Sequence, residues 1–133
     1  MNADSSTAAA IGIVGIAAPE CASLRELLRR VGTRVATYAT AEQFLLRYRA
    51  GRFDCLLVGL SLPRDSGLVL LERLRAGGDD VPIVLLAAES DVATAVTAMR
   101  AGAADFVERP YTHAALLLRV RRILHDRPRT ASR

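Results

Sequence analysis

Two rhythms alternate along the chain. Short, mostly apolar runs at 11–16, 34–38, 54–60, 82–87 and 105–108 have the length and β-branched content of strands. Between them the apolar positions recur at helical spacing. Leu24, Leu27, Leu28 and Val31 make an i, i+3, i+4, i+7 stripe, with Arg25, Arg29 and Arg30 on the opposite side. A second helix opens at "TAEQ", where Thr40 and Gln43 have the spacing of a capping box. A third follows Ser66-Gly67 and carries Leu68, Leu70, Leu71 and Leu74. A fourth opens at Ser90-Asp91, runs to Ala101 and stops at Gly102. The fifth starts at Thr112, after Pro110, and turns Leu116, Leu117, Val120 and Leu124 inward.

Strand and helix alternating in this way predict an α/β domain, a parallel sheet with helices on both faces. The third strand, "CLLVGL", is almost wholly apolar, as a central strand covered on both sides must be. In such sheets ligands sit at the carboxyl ends of the strands. Those ends are Gly15-Ile16, Gly59, Ala87 and Arg109, so a function of the usual kind belongs there. Four of these five side chains carry neither acid, base nor metal ligand.

Composition narrows the choice of chemistry. With 133 residues, 51% hydrophobic and 24% charged, the chain is one globular domain. Residues 1–10 read as a loose tail, 11–126 as the domain and 127–133 as a basic tail or linker. All 18 basic residues are arginines, so no Schiff-base or P-loop lysine exists. Cys21 and Cys55 lack metal-ligand spacing, and no metal or cofactor is expected. The glycines of "IGIVGIAAPE" resemble a dinucleotide-binding turn. However, the pattern lacks its further glycines, and "VATYAT" closes the second strand without an acid. The first residues carry Asp4 and no basic n-region, and no run approaches the ~18 apolar residues of a membrane span. A cytoplasmic protein without membrane contact is expected. Six arginines in "LRVRRILHDRPRTASR" lack interleaved aromatics, so direct nucleic-acid binding by this chain alone is not expected.

In "LPRDSGLVLLERLR" and "DVATAVTAMRAGAADFVERPY" the chain resembles receiver domains of two-component response regulators, in particular those preceding a LuxR-type helix-turn-helix domain. The resemblance runs from Ile11 to about His125. It implies a flavodoxin-like (βα)5 doubly wound sheet of strand order 2-1-3-4-5 in three α/β/α layers. Pro63, Gly67, Gly102, Phe106 and Pro110 fit the family pattern. The functional positions do not. The acidic pair that holds magnesium falls at Gly15 and Ile16, the phosphoacceptor aspartate at Gly59, the hydroxyl residue at Ala87 and the lysine at Arg109.

The resemblance therefore implies a degenerate, non-enzymatic receiver, a phosphorylation-independent interaction module in bacterial signalling or transcription control. Phosphoryl transfer needs a nucleophilic oxygen and a charge-neutralising metal, and neither has its residues here. Arg109 is expected to pair with Glu89, Asp65 or loop carbonyls. Phe106 stands at the switch aromatic, with room for an inward ring beside Ala87. The expected working surface is helix four, strand five and helix five. Its exposed residues would be Thr94, Thr97, Ala98, Arg100, Glu108, Arg119 and Arg122, with a homodimer as the expected assembly. Two alternatives stand beside this one: a small-ligand or anion sensor using the vacated pocket, and a transcription regulator whose DNA-binding domain lies beyond Arg133.

Overall fold

The computed structural model describes residues 8–62, 65–88 and 92–126. The elements in chain order are β1 (Ala10–Val14), α1 (Ala18–Arg30), β2 (Arg34–Tyr38), α2 (Ala41–Arg47) and β3 (Cys55–Gly59). A small hairpin of β4 (Ser61–Leu62) and β5 (Asp65–Ser66) comes next. The chain continues through α3 (Gly67–Ala76), β6 (Ile83–Ala87), α4 (Val92–Arg100), β7 (Asp105–Glu108) and α5 (His113–Asp126). The main sheet has the order β2-β1-β3-β6-β7, every pair parallel. Counting its five strands alone, this is the 2-1-3-4-5 order of a flavodoxin-like doubly wound fold.

Period-two alternation in the central strands sorts the core into two layers. Ile11, Ile13, Cys55, Leu57, Val84 and Leu86 face α1 and α5, where Leu24, Leu28, Leu116 and Val120 meet them. Leu56, Val58, Ile83 and Leu85 face the other way, onto Phe44 of α2, Leu70, Leu71 and Leu74 of α3, and Ala98 of α4. Each fully buried large aliphatic contributes about 1.5–3 kcal/mol. The sequence pattern finds these faces because both faces of β1, β3 and β6 are covered.

The helix ends follow local chemistry. Thr40 Oγ1 accepts from Gln43 N at 3.0 Å, and the Gln43 side chain reaches back to Ala39 N at 3.1 Å. Ser66 caps α3 through Val69 N, and Thr112 Oγ1 accepts from Ala115 N. After α4 the chain turns at Gly102, whose φ of 106° suits glycine, and Ala103 N returns to Ala98 O. The expected opening of this helix at Ser90-Asp91 lies outside the described residues, as do Pro63, Glu89 and the tails at 1–7 and 127–133. Among the described residues, no helix is long and apolar enough to cross a membrane.

Candidate functional site

At the carboxyl end of the sheet an open cleft of about 660 Å³ is lined by Gly15, Ile16, Ala17, Ala18, Glu20, Ala39, Ser61, Ala88 and Arg109. Gly15, Ile16 and Arg109, singled out from the sequence, line it. Gly59 and Ala87 are buried beneath it.

Glycine packing closes the floor. Gly15 has a φ of 68°, and a Cβ there would lie 1.9 Å from Leu62 Cδ2, so the Leu62 side chain occupies that space. A Cβ on Gly59 would lie 2.6 Å from the Gly15 carbonyl oxygen, and one on Gly67 2.4 Å from the Gly59 oxygen. Backbone is thus laid on backbone across β1, β3 and the start of α3, and Gly67 N donates to Leu60 O at 2.7 Å. Leu62 contributes to this seal, and the sequence reading had not named it.

The cleft's charge is also closed on itself. Arg109 Nε donates to both oxygens of Glu20, at 2.9 and 3.0 Å, and the Tyr111 hydroxyl donates to the same carboxylate. The pair is only partly exposed, 29% for Arg109 and 23% for Glu20. The expected partners of Arg109 are corrected here. Asp65 instead accepts from Ser66 N within its own hairpin, and Glu89 is outside the described residues. Glu20 takes the place because α1 begins at the strand ends, so its first turn lines the same cleft as Arg109. Burial, and then the bond to Glu20, raise the Tyr111 hydroxyl above its ordinary range. The peptide joining Arg109 to Pro110 is cis.

A divalent cation of the magnesium type takes several oxygen ligands, normally with carboxylates among them. The lining here does not fit one. Among the described residues its lining holds one carboxylate, Glu20, which already faces a guanidinium and a phenol, and Leu62 fills the space over Gly15. Among the described residues, no group of three His, Cys, Asp or Glu could hold a metal. Asp54 works elsewhere, accepting from Ala10 N at 2.8 Å where β1 begins. Cys55 is buried, and burial raises the half-buried Cys21 thiol.

Of the residues expected on the outer face, Thr97, Arg100, Glu108, Arg119 and Arg122 are exposed and Thr94 is half-buried. Ala98 is a correction: it is fully buried against the sheet, because α4 turns its small residues inward to let the helix approach. The exposed stripe on α4 is larger and more apolar than expected: Val92 (72%), Val96 (44%) and Met99 (47%), at i, i+4 and i+7. Arg119, expected on that face, is paired with Asp105 of its own chain at 2.7 Å. Phe106 is half-buried and packs on the cluster containing Leu85 and Ala98.

Comparison with known proteins agrees with this fold. The family described as "Response regulator receiver domain" matches residues 19–121. The response regulator protein TodT of Pseudomonas putida is 31% identical over 110 residues, covering 83% of this chain and 48% of that protein. The transcriptional regulatory protein PrrA of Mycobacterium tuberculosis is 34% identical over 111 residues, 84% of this chain and 48% of that one. A solved response regulator receiver protein from Pseudoalteromonas atlantica superposes with a TM-score of 0.81 at 33% identity, covering 87% of this chain and 97% of that one. The chain therefore spans about half the length of these curated relatives.

Proposed function

This chain belongs to the response regulator receiver family, and within it we propose a module that signals without phosphoryl transfer, through a constitutively set protein-binding face. The observation that carries the reading is the Glu20–Arg109–Tyr111 cluster. In a working receiver the cation at this strand end answers a phosphoryl group that comes and goes. Here it answers a carboxylate of its own chain. Gly59 offers no nucleophile, and the space where its side chain would begin is taken by the Gly15 carbonyl. A face controlled from this end of the sheet would then stay in one state.

The proposed face is α4, β7 and α5, with the apolar centre on Val92, Val96 and Met99 rather than on Ala98. Arg100, Glu108 and Arg122 form its polar rim, and each rim pair would add only about 0.2–1 kcal/mol, setting register more than affinity. The proposed partner is a second copy of the chain, in the cytoplasm of a bacterial signalling system. The anion-sensor reading is weaker, because an anion would have to displace Glu20 from Arg109. A DNA-binding output unit elsewhere in the protein is compatible with this proposal, since the curated relatives are about twice as long.

Sedimentation equilibrium with and without beryllofluoride tests the reading. A dimer whose stability ignores beryllofluoride supports it. A beryllofluoride-dependent change in mass contradicts it.

A further inference from the structure

Away from the cleft, the edge of the sheet at β2 carries an arrangement that the function above leaves unused. Among the described residues, β2 pairs with β1 alone. Arg34 N donates to Ala9 O and Tyr38 O accepts from Gly15 N, so residues 34, 36 and 38 turn their backbone groups toward β1. Parallel geometry then points the N–H and C=O of Val35 and Thr37 out of the sheet. Two adjoining clefts of about 140 and 510 Å³ run along this edge and share Ala36 and Arg52.

The chemistry of these clefts is one-sided. Arg34, Arg47 and Arg52 line them, no acid does, and none of the three has a carboxylate partner among the described residues. Leu46, 85% exposed, stands among the arginines beside Tyr38. Exposed sheet edges invite another strand, and proteins often guard them with charge. A charge that guards an edge also limits what can dock there. A second copy added edge to edge would set arginines against arginines. A nucleic acid would meet the arginines but leave Leu46 and the outward backbone groups of Thr37 unused.

We propose that the β2 edge is a docking groove for an extended, acidic segment of another protein. The segment adds to the sheet as a sixth strand. Its backbone bonds to Val35 and Thr37, its carboxylates meet Arg34, Arg47 and Arg52, and an apolar side chain covers Leu46.

Fluorescence anisotropy with a fluorescein-labelled hexapeptide of alternating glutamate and valine tests this on the full chain. Saturable binding is expected, weakened at least about tenfold by N-methylation of alternate peptide amides and by the Arg47→Glu/Arg52→Glu double variant. Leu46→Asp, at a side chain too exposed to support the fold, should weaken it as well. The proposal is overturned by absent binding, or by equal binding of the N-methylated peptide. It is also overturned if a single-stranded DNA of equal charge binds as tightly, which would make the edge a general polyanion patch.

Discussion

Glu20, in the first turn of α1, and Arg109, directly after β7, stand 89 positions apart and meet through both carboxylate oxygens. The contact ties the first helix to the last strand across the mouth of the cleft. Tyr111 joins from the start of the following segment, so one carboxylate fixes two side chains on either side of Pro110.

Glu20→Ala should lower stability by about 1–3 kcal/mol, because it leaves a partly buried guanidinium and a phenol without their acceptor. Glu20→Gln keeps an acceptor oxygen and should cost less. Urea denaturation of the two variants measures the order. Equal midpoints for Glu20→Ala and wild type would remove the cluster from the account.

The raised Tyr111 hydroxyl gives a pH dependence of defined sign. Its ordinary value is 10.0 and its value in the fold is higher. The neutral phenol's contribution is therefore complete below about pH 10 and is lost as pH rises toward the folded value. The stability difference between wild type and Tyr111→Phe should be constant from about pH 7 to 9.5 and shrink above pH 10. Urea midpoints taken across that range check it. A difference that grows with alkaline pH would contradict the assignment.

Gly59→Asp should not create a phosphorylatable domain. Its Cβ would have to enter the 2.6 Å gap to the Gly15 oxygen, and its carboxylate would find no metal-binding partner at Gly15 or Ile16. A loss of about 1–3 kcal/mol is expected from overpacking alone. A melting temperature equal to wild type would show that the floor is more yielding than described.

On α4, the same substitution made two residues apart has opposite outcomes, because Val96 faces outward and Ala98 faces the core. Val96→Glu places a charge on a half-exposed site and should abolish self-association while leaving the monomer folded. Ala98→Glu forces a charge into the core and should unfold the domain. Circular dichroism alongside sedimentation separates the two. A folded Ala98→Glu monomer would contradict the burial of that helix face.

What the chain discloses in advance follows from where each signal is local. The strands, the caps at Thr40, Ser66 and Thr112, and the stop at Gly102 rest on neighbours a few residues apart, so spacing alone finds them. Ala98 misleads because alanine suits either side of a helix. On α4 the usual rule inverts, with small residues against the sheet and Val92, Val96 and Met99 outside. The Glu20–Arg109 contact has no local signature. The available hint was an acid in a helical first turn, at the same end of the sheet as a strand-ending arginine.

The central claim is that this domain takes no phosphoryl group, and intact-mass spectrometry after incubation with acetyl phosphate and Mg²⁺ tests it most directly. The account predicts an unmodified mass for wild type under conditions that phosphorylate a receiver bearing the aspartate. A phosphoryl adduct on any carboxylate of this chain, Asp65 and Asp54 included, would contradict it.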